Sequence, residues 1–488
     1  MRHAHTVQQV REAEDLARAA LPEGDLMQRA TAGLAVACAR RLGRVYGARV
    51  VLLVGSGDNG ADALWAGARL AARGAAVSVV LTGSPRPDAL VALLAAGGRV
   101  TRSVPPDGLV VDGLVGIGGR GALREDAAAL AREVVGRDVV AVDLPSGVDA
   151  DTGAVAGVAV RAALTVALGT LKPGLLLGAG RDHAGRVELV DLGLAPVLPP
   201  APVEALEDLD VHRLLPRGDT VSDKYTRGVV GVAAGSPQYT GAAVLCVGAA
   251  VRAGAGMVRF AGARHAADQV RARWPEAVVD DLDGAAVVQA GRVQAWVVGP
   301  GLGTDDRAAA TVEAVLGEDV PVVVDADALT LCAEHPEWLR RRTAPTLLTP
   351  HDREFARFPG HDPGLLDRDR IGAARALAAD LGVTVLLKGD ATVVVDATGP
   401  ARVNGTGTPA LATAGTGDVL SGGCGALLAG GLAAVDAGSV GAYLHGVAGT
   451  LSADGATTSA YAVLTCWPDA VRRTARLDGM QPTTERAR

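Results

Sequence analysis

Short apolar runs that stop at a glycine or an aspartate recur along this chain, and each is followed by a stretch patterned as a helix. Arg49-Val-Val-Leu-Leu-Val54 runs into Gly-Ser-Gly, and Ala61 to Arg73 reads as a helix before the next run, Ala76 to Leu81. Leu109-Val-Val-Asp112 and Val139-Val-Ala-Val-Asp143 repeat the arrangement, each with an acid at its carboxyl end and a glycine-containing loop behind it. Strands that alternate with helices need crossover connections, and these build parallel sheets covered by helices. Ligands in such sheets bind beyond the carboxyl ends of the strands, so Asp112 and Asp143 fall where a site forms. A second series follows, with strands expected at 229–233, 295–298, 322–325, 346–348 and 383–387. Ile371, Ala374, Ala378 and Leu381 fall at helical spacing ahead of the last. Between the series, Leu194 to Leu206 is proline-rich and reads as a semi-rigid spacer. A chain of 488 residues exceeds one typical core, so two α/β domains are expected, 1–203 and 204–488.

Composition narrows the function classes. Hydrophobic residues make up 49%, aromatic residues only 3%, and glycine numbers 64, which suits closely packed Ala- and Val-rich layers. A net charge of −7 argues against a nucleic-acid surface. The five cysteines are scattered without a CxxC pair, so reduced thiols and a cytoplasmic location are expected. The start, MRHAHTVQQVREAEDL, lacks the apolar core of a signal peptide. Gly228 to Val251 and Val419 to Val435 are uncharged, but the first reads as strand, loop and helix and the second as a core helix, so no membrane span is expected. Lysine is scarce, which singles out Lys172, Lys224 and Lys388.

Four glycine-rich segments carry chemistry. In Thr413 to Gly431, TAGTGDVLSGGCGALLAGG, small residues lead into Asp418 at the start of an apolar helix. Unpaired N–H groups of a first helical turn suit a phosphate, and a carboxylate there is placed to take a proton from an attacking hydroxyl. VGSGDNGADAL (54–64) joins a strand to a helix like a dinucleotide-binding turn, with Asp58 and Asn59 where small residues are usual. A carboxylate inside an anion cradle makes sense beside a cation, and Asn59 and Asp112 offer oxygens to a hard ion. DGLVGIGGRG (112–121) adds Arg120, able to meet phosphate, and VDLPSGVDADTG (142–153) adds Ser146 near Asp143.

With those segments the first half resembles the NAD(P)H-hydrate epimerase domain, known by an NNGGDG loop followed by a VDxPSG loop. Here the first loop reads Asp58-Asn59-Gly60-Ala61-Asp62-Ala63, so Asn59 and Asp62 are kept while Asp58 adds charge and Ala61 and Ala63 replace glycines. The second half resembles the ADP-dependent NAD(P)H-hydrate dehydratases, through SPQYTGAAVLCVGAAVRAGAGMV (236–258), GPGLG (299–303), VDADAL (324–329), LTPHDREFARF (348–358), LLKGDATVV (386–394) and AGTGDVLSG (414–422). Thr408 stands where that family usually has asparagine before Pro409. The tandem is similar to the bifunctional repair enzymes of damaged nicotinamide nucleotides.

The resemblance implies an N-terminal Rossmann-like and a C-terminal ribokinase-like three-layer sandwich. It implies epimerisation of R and S hydrate by the first and ADP-dependent dehydration of the S epimer by the second, a metabolite-repair activity. Potassium would be held by Asn59, Asp112 and Ser146. The hydrate of NADH or NADPH would contact Asp58, Asn59, Gly60, Ala61 and Asp62, then Gly116, Ile117, Gly118, Gly119, Arg120, Gly121 and Ala122, with Asp143 as the proton carrier and Lys172 as a possible second group. In the second half the hydrate would meet Gly301, His351 and Asp418. Adenine nucleotide would meet Lys388, Gly389, Asp390, Ala391 and Thr392, then Gly415, Thr416 and Gly417, with magnesium. Asp418 would take the proton of the C6 hydroxyl as its oxygen attacks the terminal phosphate of ADP; the ring nitrogen then expels phosphate. A homo-oligomer is expected. The alternative reading is a ribokinase-like small-molecule kinase fused to a non-catalytic nucleotide-binding module.

Overall fold

The computed structural model describes residues 1–216 and 227–475. It divides into two compact units, one of Arg2–Val203 and one of Glu204–Arg488 together with Met1. Each unit is an α/β fold around its own sheet.

In the first unit seven strands, β1 (Arg49–Val54), β2 (Ala76–Leu81), β3 (Arg99–Val100), β4 (Leu109–Gly113), β5 (Val139–Val142), β6 (Leu164–Leu168) and β7 (Arg186–Val190), lie in the order β3-β2-β1-β4-β5-β6-β7. All neighbours are parallel. Alternate residues of β1 enter two cores. Val50, Leu52 and Val54 pack with Leu34, Leu64 and Leu70 of helices Asp25–Leu42 and Asp58–Ala72. Val51 and Leu53 pack with Ala127 and Ala131 of helix Glu125–Glu133. That alternation gives the three-layer sandwich and explains why β1 is apolar on both faces. The chain turns away from β1 in opposite directions, so the crevice between the ends of β1 and β4 is the topological switch point.

The second unit builds on β8 (Val229–Ala233), β9 (Met257–Ala261), β10 (Val278–Asp280), β11 (Ala295–Val298), β12 (Val322–Val324), β13 (Thr346–Leu348), β14 (Thr384–Leu387), β15 (Thr392–Val395) and β16 (Ala401–Asn404). Their order is β16-β15-β14-β13-β12-β11-β8-β9-β10, parallel except for the pairs β14–β15 and β15–β16. Val230, Val232, Val297, Val323, Leu347 and Leu386 share one core with the apolar faces of helices Thr240–Arg252, Thr416–Ala429, Ala434–Ala453 and Ala460–Ala475. No described helix is long and apolar enough to cross a membrane.

Several expectations need adjusting. The helix expected from Ala61 begins at Asp58, because Gly57 already serves as its extended N-cap. The uncharged stretch 419–435 is not one helix: it ends at Ala429, and Gly430-Gly431 break it before the next helix at Ala434. The proline-rich 194–206 is not a free spacer. Leu194 is fully buried in the first core, with Val197 and Leu198 packed against it. Lys224 lies outside the described residues.

Candidate active sites

In the first unit a cavity of about 1160 Å³ opens at the carboxyl ends of the strands. Its walls include the loop after β1 (Gly55 to Asp62), the loop after β4 (Leu114 to Ala122) and Asp143 behind β5. Those two loops touch: a Cβ at Gly55 would sit 1.9 Å from the Leu114 carbonyl oxygen, so only glycine allows the approach. A Cβ at Gly116 would likewise sit 3.0 Å from the Asn59 side chain. Ala61, Ile117, Gly118, Gly119, Arg120 and Gly121 line the cavity as expected, whereas Gly60 does not reach it and packs on Gly55, whose carbonyl oxygen a Cβ there would meet at 2.3 Å. Ala61 and Ala63 are buried inside the helix, where alanine is at home, and neither takes a positive φ. Asp58 is 89% exposed on the rim, 3.8 Å from Arg86, so its charge is largely solvated.

Beneath the cavity Asp112 is fully buried. One oxygen accepts the Ser146 hydroxyl at 2.6 Å and the Leu114 amide at 3.2 Å; the other accepts the Ser146 amide at 2.8 Å. Burial pushes its carboxyl above the usual range, with those hydrogen bonds opposing. No described cation pairs with it. One buried end of the Asn59 amide also has no hydrogen-bond partner. Which end carries the oxygen is a matter of assignment, and turning it presents a bare oxygen there. A buried carboxylate short of positive charge, an idle amide and a hydroxyl make an all-oxygen donor set, which fits a hard cation.

Asp143 has φ 64°, a left-handed turn that aspartate tolerates, and this turn aims its carboxylate back at β6. One of its oxygens accepts the Leu168 amide at 2.9 Å and the ammonium of Lys172. Lys172 is 1% exposed and also donates to the Leu168 carbonyl at 2.9 Å. Asp62, half-buried one turn into the helix Asp58–Ala72, has no hydrogen bond or ion pair among the described residues. Burial, then Asp143, Asp58 and Glu14, push it up to about 8 against Arg86. Sequence reasoning missed Arg11, Glu14 and Arg18 of the helix Val7–Ala20, which line the same cavity. Burial raises Glu14 too, and nothing local in its sequence signals that it meets residues over a hundred positions away.

In the second unit the loops after β8 and β11 are joined by the Gly235 amide donating to the Pro300 carbonyl at 2.8 Å. Gly301, with φ 64°, packs over Tyr239 and Ala242. Asp418 occupies the first turn of helix Thr416–Ala429, which starts at Gly415 with φ 86° and Leu245 directly behind it. A Cβ at Gly417 would lie 3.7 Å from Lys388 Nζ and 3.8 Å from Asp325 Oδ2, so the helix start and the strand-end lysine meet. Lys388 is no solvated strand-end charge. Its ammonium donates to Asp325 at 2.8 Å and lies 3.5 Å from Glu354. Asp325, 1% exposed, also accepts the Ser421 hydroxyl at 2.6 Å. Burial alone would raise Asp325; Lys388, Ser421 and Thr349 outweigh it and hold the carboxyl below its usual range.

Glu354 in turn accepts the His351 amide at 2.8 Å. His351 Nδ1 caps the next helix by accepting the amides of Arg353 and Glu354, each at 3.1 Å, so the hydrogen of a neutral ring sits on Nε2. Behind β14, Arg370 lies against Gly389 and donates to the Lys388 carbonyl at 2.5 Å, bracing the turn Gly389-Asp390-Ala391 before Thr392. Asp418 itself has no hydrogen bond or ion pair among the described residues, and burial, with Asp325 and Asp327, pushes it up to about 7 against Lys388. His445, buried in the small-residue helix Ala434–Ala453, has one ring nitrogen without a hydrogen-bond partner and is pushed by burial down to about 4. Ser421, Glu354 and His445 were missed as site residues. A lone polar side chain inside an apolar helix was the available signal for Ser421 and His445.

The comparisons with known proteins fall on the same two regions. Residues 230–466 match a family model described as NAD(P)H-hydrate dehydratase, and residues 23–174 match the YjeF-related protein N-terminus. The bifunctional NAD(P)H-hydrate repair enzyme Nnr of Mycobacterium tuberculosis is 51% identical over 409 residues, covering 82% of this chain and 83% of the relative. Its counterpart in Corynebacterium glutamicum is 35% identical, over 71% and 72% of the two chains. A ribokinase-like superfamily protein from Enterococcus faecalis superposes with a TM-score of 0.51 at 25% identity, covering 56% of this chain and 96% of that one.

Proposed function

The chain belongs to the family of bifunctional NAD(P)H-hydrate repair enzymes, and from that premise we propose that it returns both epimers of hydrated NADH and NADPH to the working cofactors. Residues 1–203 interconvert the C6 epimers, and residues 204–488 dehydrate the S epimer at the expense of ADP. Asp418 carries the second step. It is unpartnered, it stands at a helix N-terminus, and its pKa near 7 lets it both take and return a proton at neutral pH. It accepts the proton of the C6 hydroxyl as that oxygen attacks the terminal phosphate of ADP. The Gly415-Thr416-Gly417 amides stabilise the charge growing on the phosphoryl oxygens. AMP leaves with the bridging oxygen, phosphate then departs from C6 driven by the lone pair of the ring nitrogen, and loss of a proton from C5 to solvent restores the ring double bond.

Lys388 acts here through Asp325, whose charge it balances, and the turn from Gly389 to Thr392 is the adenine-nucleotide side of the site. His351, whose Nε2 lies 3.7 Å from a Glu354 oxygen, and Gly301 face the hydrate. Magnesium arrives with the diphosphate, since the neighbouring carboxylates Asp325 and Glu354 are engaged by Lys388. In the first unit Asn59, Asp112 and Ser146 would hold potassium, which supplies the positive charge that buried Asp112 lacks. The strip from Gly116 to Ala122 and the loop from Asp58 to Asp62 grip the hydrate, and Asp143 handles a proton. Five free cysteines fit a reducing, cytoplasmic setting.

The test supplies acid-hydrated NADH, both epimers, with ADP and magnesium. The expected result is recovery of dihydronicotinamide absorbance with one free phosphate released per molecule restored. A stable phosphorylated product without that recovery would instead mark a kinase.

A further inference from the structure

We infer that Asp62 is a catalytic acid of the epimerase site and that it works as a pair with Asp143, Asp62 giving a proton to the ring nitrogen while Asp143 takes one from the C6 hydroxyl. The inference rests on the epimerase reading of the first unit and names the residues that would do its chemistry.

Two aspartates face one cavity in opposite electrostatic circumstances. Asp143 meets two donors, the buried ammonium of Lys172 and the Leu168 amide. Asp62 has none of this. It is half-buried, it accepts no hydrogen bond among the described residues, and three carboxylates surround it: Asp143 from behind β5, Asp58 from its own helix and Glu14 from the helix Val7–Ala20. Arg86, from the loop after β2, opposes them and is already bonded to Asp88 at 2.9 Å, while Arg11, Arg18, Arg120 and Arg124 line the same cavity. Repulsion and desolvation therefore favour a proton on Asp62 at neutral pH, while Asp143 is held in an ion pair with Lys172. Carboxyl groups whose surroundings drive them apart in this way divide the roles of acid and base.

The chemistry needs such a division. The C6 carbon of the hydrate bears both the hydroxyl and the ring nitrogen, a carbinolamine. Asp143 removes the hydroxyl proton, the oxygen pair closes to a carbonyl, and the C6–N1 bond breaks with its electrons moving onto N1, which takes the proton of Asp62. Rotation about the C5–C6 bond turns the other face of the aldehyde toward N1. Closure runs in reverse: N1–H returns its proton to Asp62, the N1–C6 bond re-forms, and the alkoxide recovers the proton from Asp143. Nothing is oxidised or reduced, and both carboxyl groups end as they began.

The experiment uses the full chain with mixed hydrate epimers, ADP and magnesium. Recovery of absorbance is then biphasic: a fast phase from the S epimer and a slower phase that requires conversion of R to S. Asp62→Asn is expected to slow the second phase by about 100- to 10,000-fold, or to the uncatalysed rate, with the first phase intact. In the unaltered enzyme the second phase should weaken as pH rises through about 8, where Asp62 loses its proton. Asp62→Glu should restore much of the rate with that alkaline limb displaced. Should Asp62→Asn fail to fold, shown by loss of its thermal transition, the displaced limb of Asp62→Glu carries the test. A second phase unchanged in Asp62→Asn, or a limb unmoved in Asp62→Glu, overturns the assignment. An unaltered enzyme that converts R no faster than buffer overturns the epimerase reading itself.

Discussion

The first unit sets Lys172 against Asp143 and leaves Asp62 beside them without a partner; the second sets Lys388 against Asp325 and leaves Asp418 in the same position. The arrangements differ in how the buried charge is shared. Among the described residues Asp143 is the one carboxylate Lys172 pairs with, and the lysine is 1% exposed. Lys388 is 20% exposed and serves both Asp325 and Glu354, while Asp325 keeps Ser421 as a second donor. A single sealed pair and a branched network can therefore each stand beside an aspartate that has no partner among the described residues and whose pKa is raised, but they should fail differently when cut.

The largest effect is expected from Lys172→Ala. It strands a buried carboxylate, and stability of the first unit should fall by about 3–5 kcal/mol in urea unfolding of the full chain. A loss below about 1 kcal/mol would show that the pair is not what holds Asp143. Lys388→Ala should cost less, about 1–3 kcal/mol, because Ser421 still donates to Asp325 and solvent reaches the vacated position. If it costs as much as Lys172→Ala, the branched network shares nothing and the contrast collapses.

The third effect is smaller and depends on pH. Asp62 and Asp418 bind protons more tightly in the folded chain, about 8 and about 7 against an ordinary 3.8. The folded state then holds protons that the unfolded state has released, so these groups make stability fall as pH rises from about 4 toward 8. Asparagine copies the protonated form. Asp62→Asn and Asp418→Asn should each melt higher than the unaltered chain at pH 8 and level with it at pH 4. Between pH 7 and 8 the remaining decline should belong to Asp62 alone, and thermal melts of both variants across that range would separate the sites.

Much of this was legible in the sequence, for local reasons. Asp112, Asp143 and Asp418 announce themselves because each follows an apolar strand or a glycine turn within a few residues. The strands β8 and β11 are continuous apolar runs and were placed to the residue. What escaped was non-local or masked. Arg259 interrupts β9, and the turn at Gly389–Asp390 hides an antiparallel return through β15. The pairing of Lys388 with Asp325 spans 63 positions, and no spacing rule reaches that far. Lys172 stood out by scarcity and, through the resemblance, as a second group beside Asp143; only the fold shows that the two form an ion pair. Glu14 reached the cavity through a helix that the sequence offered no reason to bring there.

Asp418 is the carboxyl of the second site left without a partner among the described residues, and its proposed role as base is the central claim. The most direct measurement is ADP-dependent dehydration of the purified S epimer by Asp418→Asn, with the thermal transition as a check on folding. A rate reduced about 100- to 10,000-fold in a fully folded chain is predicted. A near-normal rate from that same folded chain would contradict the account.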